Sequence, residues 1–237
     1  PYIESVVTVM MGLFGVNFSL YYFLLIRRFK DVFKNTEFKV YVITMAVAAA
    51  VMAANIYPIY RSVGISIRHG IFQAVSIMTS TGLYTADYTL WPTLSQMIIF
   101  ILMCIGACAG STGGGFKVQR FIIMFKSLVK TVKKTLHPKS VNIVKSNDKT
   151  MDSSVVHGVH NYLVLYLGLS AISLLIVALD NMDFATTFTS IAACINNMGP
   201  GFGAVGPAAN YSGFSDLSKI VLSVDMLLGR LECFPII

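Results

Sequence analysis

Charged residues cut this chain into long uncharged runs. Ser5 to Ile26 carries no charge, and neither does Val40 to Tyr60. A helix needs about 20 apolar residues to cross the hydrocarbon core of a bilayer, so both runs are long enough to span it. His160 to Leu179 is a third such run. Ile71–Ala86 and Tyr88–Phe116 flank the single Asp87, Phe184–Ser215 follows, and a last helix is expected from Leu217 onward.

Two of these runs are not simple spans. Ile71–Ala86 ends in Thr79-Ser80-Thr81-Gly82, and Phe184–Ser215 holds Asn196, Asn197, Gly199, Pro200, Gly201, Gly203, Gly206, Pro207 and Gly213. Lipid offers no hydrogen bonds, so irregular backbone at membrane depth must be buried in protein or line water. Each run therefore reads as a short helix followed by a loop that returns to the same side.

Charge sets the orientation. Arg27–Lys39 holds five basic and two acidic residues, and Lys117–Lys149 nine basic and one acidic. The other connections hold Asp87, Asp180, Asp183 and Asp216. By the positive-inside rule the two basic loops are cytoplasmic. Helix 5–26 then runs inward, 40–58 outward, 92–109 inward, 157–179 outward and 217–237 inward. Segments 69–86 and 184–201 dip in from outside.

Composition agrees. Of 237 residues, 55% are hydrophobic and 12% charged, against roughly 25% charged in soluble domains. Mean hydropathy is +0.71. A soluble enzyme, a disordered tail and a nucleic-acid binder are excluded. The net charge of +7 is explained by the two cytoplasmic loops. Cys104, Cys108, Cys194 and Cys233 lie in apolar surroundings without a CxxC pair and read as buried free thiols. The chain opens on Pro1 without a signal-peptide pattern and stops in an apolar run at Ile237. It is read as a segment of a longer protein.

The pattern of helix, re-entrant loop and helix occurs twice. Placing Gly82 on Gly199, and Leu94-Ser95-Gln96 on Leu217-Ser218-Lys219, brings Met103 onto Met226 and Gly106 onto Gly229. A cation crossing a membrane exchanges its water shell for other oxygens, and backbone carbonyls can supply them. The candidate carbonyl donors are Ser80, Thr81, Gly82 and Leu83 in the first copy, and Asn197, Met198, Gly199 and Pro200 in the second. Each short helix points its partly negative C-terminal end at its loop, which favours cations. Neither loop carries a charge, which suits a weakly hydrated monovalent ion.

Met78-Thr79-Ser80-Thr81-Gly82, the stretch from Ala107 to Lys117 with its glycine run, Asn197-Met198-Gly199-Pro200-Gly201 and Met226-Leu227-Leu228-Gly229-Arg230-Leu231-Glu232 resemble the TrkH/KtrB family of bacterial potassium-uptake proteins, the TrkH branch most closely. The resemblance covers essentially the whole chain. It implies an all-α, polytopic, potassium-channel-like membrane protein of repeated helix, pore-loop and helix units. Such proteins have four repeats around one pore. This chain would hold the end of the second (1–37), the third with its basic loop (38–150) and the fourth (151–237). The resemblance also implies K+ as the transported ion, a place in the inner membrane, and a homodimer in full-length form. It implies a TrkA/KtrA-like cytoplasmic subunit that would carry any ATP, ADP or NAD. No enzyme chemistry is implied.

Gly110-Ser111-Thr112-Gly113-Gly114-Gly115 is too glycine-rich to stay helical and reads as a hinge or gate under the filter; the resemblance agrees. A phosphate loop is excluded, because Phe116 follows Gly115 and Val118 follows Lys117. Gly106-x3-Gly110 could alternatively pack two helices. Arg230 aligns with Ala107, beside the glycine run, where a fixed positive charge would raise a barrier to cations. The competing readings are an ion pair with Glu232 or Asp225 and snorkelling to the cytoplasmic interface. His157 and His160, one helical turn apart, lack further ligands for a metal. The runner-up functions are a sodium-coupled or weakly selective cation transporter and a non-conducting scaffold that docks partners through the basic run 126–145.

Overall fold

The computed structural model describes residues 2–137, 145–146 and 149–231. Ten helices follow one another: α1 Tyr2–Phe14, α2 Phe18–Leu25, α3 Phe29–Lys34, α4 Thr36–Tyr60, α5 Val63–Met78, α6 Thr93–Ile105, α7 Val118–Leu136, α8 Ser153–Val177, α9 Phe184–Ile195 and α10 Asp216–Arg230. Short 3-10 turns at Tyr88–Leu90, Ala178–Asp180, Gly203–Val205 and Tyr211–Gly213 and a two-residue antiparallel pairing, Lys145–Ser146 with Lys149–Thr150, are the remaining regular elements among the described residues.

The long uncharged runs become the long helices. α4 and α8 have 25 residues each, about 37 Å at helical rise, enough to cross a bilayer. Asn35 starts α4 by accepting a hydrogen bond from Phe38 N at 3.1 Å. From its middle onward, α8 and the turn that follows leave Val164, Leu167, Ile172, Leu175 and Leu179 exposed. In water such a surface would be a liability; against lipid it is the ordinary outer wall. α5 and α9 are short, with 16 and 12 residues, and each ends in an irregular loop. α4 and α5 pack closely because Gly70 has no side chain: a Cβ there would stand 3.0 Å from Ala49 O.

The core is assembled from these faces. Met52 and Ile56 of α4, Ile77 and Met78 of α5, and Ile99, Leu102 and Met103 of α6 are fully buried in one cluster. A second cluster joins Val177 of α8, Ile191 and Cys194 of α9, and Leu222 of α10. The result is an all-α polytopic membrane protein.

Three expectations change. The run 5–26 is not one helix: α1 and α2 meet at 93°. Gly15 lies where a Cβ would collide with the Tyr41 hydroxyl and Thr79 Cγ2, and Asn17 caps α2 through Ser19 N at 2.8 Å. The backbone groups freed by the break are taken up elsewhere in protein: Cys108 N donates to Gly15 O, and Phe18 N to Gly110 O, both at 3.1 Å. The helix expected over 92–109 stops at Ile105. Gly106 has φ +68 and sits against Gly114 O. Gly106 and Gly110 therefore do not form a helix-packing pair. The last helix is described to Arg230; the remainder of the expected span, with Glu232 and Cys233, lies outside the described residues, as do 138–144 of the basic run. Cys104, Cys108 and Cys194 are free.

Candidate functional site

The loops after α5 and α9 share one backbone pattern. Thr79 and Asn196 end the two helices at φ −89°, ψ 2° and φ −91°, ψ 5°. In the first loop Thr79 N, Ser80 N and Thr81 N donate to the carbonyls of Val75, Ile77 and Ser76. In the second, Asn196 N, Asn197 N and Met198 N donate to Ala192, Cys194 and Ala193. These are the residues that the alignment of Gly82 with Gly199 pairs. Ser80 and Asn197 adopt φ +55 and +54, and Gly82 and Gly199 φ +74 and +97. Alternate left-handed residues aim the chain along a path that side chains with a Cβ resist.

The carbonyls of Ser80, Thr81, Gly82, Asn197, Met198 and Pro200 accept no hydrogen bond from the described residues. Thr81 is exposed and the other five residues are buried or half-buried; buried carbonyls are normally paired, so those five stand out as unengaged acceptors. Leu83 and Gly199 differ from the other six. The Leu83 carbonyl accepts from Ser76 Oγ at 2.5 Å, and the Gly199 carbonyl from the Tyr211 hydroxyl at 2.6 Å. The two loops touch: a Cβ on Gly82 would strike Met198 O and come within 3.1 Å of Pro200 Cδ. Tyr88 of the first loop also donates to Gly201 O at 3.1 Å.

Each loop is braced from behind. Gln73 Nε2 donates to Ala86 O at 3.0 Å, and His69 Nδ1 lies 2.9 Å from Thr85 Oγ1. In the second copy Phe202 N and Ala204 N donate to the hydroxyls of Thr189 and Thr186 at 2.8 and 2.9 Å. On the side away from the basic loops, Asp180 is held below the usual carboxylate range by the Ser215 hydroxyl and N–H, and Asp183 by Thr186.

The glycine-rich loop lies against the ends of both short helices. A Cβ on Gly113 would stand 3.2 Å from Thr79 O, and one on Gly114 2.7 Å from Asn196 O. Thr79 and Asn196 are equivalent positions, so successive glycines meet equivalent carbonyls. Gly115 lies against Asn196 Oδ1. Three sides hold this loop. Glu37 of α4 accepts from Ala109 N at 2.6 Å. Thr112 Oγ1 donates to Phe14 O at 3.3 Å, and Lys117 Nζ to Gly113 O. From α10, Arg230 Nη1 donates to Thr112 O at 2.6 Å.

The structure thus brings Ser80–Leu83, Asn197–Pro200, Gly110–Gly115 and Arg230 into one region. Arg230 engages the loop and not Asp225, whose partner is Ser173. Several residues here had not been singled out from sequence. Glu37 had counted only as one charge of a basic loop; its place at the first turn of a span was the available signal. Asn17 was a polar residue within an apolar run, two after a glycine. Lys117 and Arg120 are almost fully buried; Arg120 lies 4.0 Å over the Tyr162 ring. Asn196 donates to the Tyr166 hydroxyl at 2.9 Å.

Comparison with known proteins bears on this geometry. The family model "TrkH: Cation transport protein" matches residues 1–237. The Trk system potassium uptake protein TrkG of Escherichia coli K12 is 33% identical over 224 residues, 93% of this chain and 46% of that protein. TrkH of the same organism is 30% identical over all of this chain and 49% of its own length. The crystal structure of the potassium transporter TrkH from Vibrio parahaemolyticus superposes with a TM-score of 0.88 at 29% identity, covering 98% of this chain and 50% of that one. The chain spans about half the length of these relatives. By its sequence and its fold, this chain belongs to the TrkH family of cation transport proteins.

Proposed function

We infer that this chain forms half of the ion pathway of a Trk-type potassium uptake protein. Its two re-entrant loops contribute carbonyls to a filter for K+, and its glycine-rich loop gates the path beneath them. Residues 1–37 close a preceding repeat, 38–150 form the third and 151–237 the fourth. One observation carries the reading: two loops of matching backbone, with a row of unengaged carbonyls, stand over a glycine loop that touches both.

The mechanism needs no covalent step. A K+ ion leaves its water for the carbonyls of Ser80, Thr81 and Gly82 and of Asn197, Met198 and Pro200. The negative ends of α5 and α9 favour its charge. Leu83 and Gly199 shape the loops through their bonds to Ser76 and Tyr211. The membrane potential supplies about 2.3 kcal/mol per charge for each 100 mV. Arg230, fixed on Thr112 O, places a positive charge beside the closed loop and raises the barrier there.

The protein would reside in the cytoplasmic membrane with the basic loops inside. There α7 and its lysines would face a nucleotide-binding regulatory subunit of the TrkA/KtrA kind. In full-length form it would be a homodimer. The complete reading frame, expressed in potassium-starved cells, should take up rubidium, and Gly82→Ser and Gly199→Ser versions at equal expression should take up far less. Equal uptake by all three would remove the ion path from these loops.

A further inference from the structure

Asp225 lies in the middle of α10 with 2% of its surface exposed. Its Oδ1 is 2.8 Å from Ser173 Oγ of α8, itself buried. Its Oδ2 has no hydrogen-bond partner, and no ion pair reaches it from the described residues. The titratable groups that face it are few. α9 presents the Cys194 thiol, with the Tyr211 hydroxyl of the following loop near it and bonded to Gly199 O. α8 presents only the Ser173 hydroxyl. On α10 itself, Lys219 pairs with Asp216 at 3.7 Å and Arg230 binds Thr112 O.

A carboxylate without a counter-charge is not stable in such a site; it takes up a proton or moves to water. The geometry suits the neutral form. The Ser173 hydroxyl donates to Oδ1 at 2.8 Å, so in the neutral form Oδ1 is the carbonyl oxygen and the proton sits on Oδ2. Packing alone does not require an acid here. Ser95, Ile99 and Leu102 are buried on α6 as Ser218, Leu222 and Asp225 are on α10, so the equivalent place in the first copy holds a leucine.

We propose that Asp225 is a proton-binding site whose protonation keeps α10 seated on the second pore loop and on the glycine-rich loop. Within five residues of it, α10 makes three contacts with the ion path. Met226 O accepts from Asn197 Nδ2 at 3.0 Å, Gly229 lies against Ile195 O, and Arg230 binds Thr112 O. Loss of the proton to water leaves a carboxylate that leans out of the helix interface. α10 shifts with it, and the hold on Thr112 is released. The link to transport rests on the function proposed above; the proton site itself does not.

The test uses the complete transporter in liposomes. Infrared spectra near neutral pH should show the C=O band of a protonated carboxyl that is missing in Asp225→Asn. That variant keeps the bond to Ser173. In Ser173→Ala the band should persist at a shifted frequency, which identifies it even if Asp225→Asn folds poorly. Raising the pH should remove the band over the same range in which wild-type rubidium flux increases, whereas Asp225→Asn should show low flux that does not vary with pH. Superposable wild-type and Asp225→Asn spectra, or an unchanged pH profile in Asp225→Asn, would overturn the proposal. A band at Asp225 in a protein that moves no rubidium would uphold the proton site and sink the potassium-uptake reading.

Discussion

Thr79–Leu83 and Asn196–Pro200 follow the same succession of backbone hydrogen bonds, yet they stand in different surroundings. Gly82 faces the second loop so closely that a Cβ would strike Met198 O, while nothing lies within 4 Å of the position a Cβ would take on Gly199. The first loop is tied back by Ser76, two residues before its helix ends; the second by Tyr211, from the far side of a long connection. The short helix and its terminal hydrogen bonds therefore fix the path of each loop, and the surroundings tune it. What Gly82 meets in this chain indicates what the open flank of Gly199 would meet in a closed ring: the next equivalent loop.

Substitutions at the two loops separate local strain from crowding by the neighbouring loop. The largest effect is expected from Gly82→Ala in the complete transporter. It combines left-handed strain with overpacking against backbone, a loss on the order of a hundredfold in rubidium uptake. Gly199→Ala would meet the strain alone, about tenfold. Equal losses would mean that the flank of Gly199 is filled in the complete protein. Next comes Arg230→Gln, which removes a charged hydrogen bond to the glycine loop. Flux through the resting transporter should rise by about tenfold; a fall would show that Arg230 supports the open state.

Smaller effects sharpen the difference in bracing. Tyr211→Phe and Ser76→Ala each remove one hydrogen bond, worth about 1 kcal/mol. Each should alter the sodium-to-rubidium flux ratio a few-fold, and the double variant should be additive if the loops are braced independently. The smallest effect concerns Asp180 and Asp183. Their carboxyls titrate below the usual range in the folded state. Their contribution is full above the unfolded carboxylate pKa and is lost as pH falls through the depressed one. The melting temperature of the purified transporter should decline slightly below about pH 4. Asp180→Asn should flatten that decline.

The architecture was legible wherever one property ran unbroken along the chain. Absence of charge marked α4 and α8, and Thr-Ser-Thr-Gly and Asn-Met-Gly-Pro marked the loops. Breaks inside apolar runs were harder to read. Hydropathy does not distinguish a straight span from one bent at Gly15–Asn17, because the bend is stabilised by Gly110 and Cys108, far away in sequence. Gly106 ends α6 before the glycine run because the carbonyl of Gly114 folds back onto it. Glu37 and Asp225 carried charge signals, but only their partners, Ala109 N and Ser173, show one as an anchor and the other as an isolated acid.

In the proposed pathway ions pass along both loops. Sodium and rubidium fluxes measured in the same liposomes decide this, because their ratio does not depend on the amount of active protein. Gly82→Ser and Gly199→Ser should each leave residual flux with a sodium-to-rubidium ratio well above that of the wild type. Residual flux at the wild-type ratio in both variants would place the filter elsewhere.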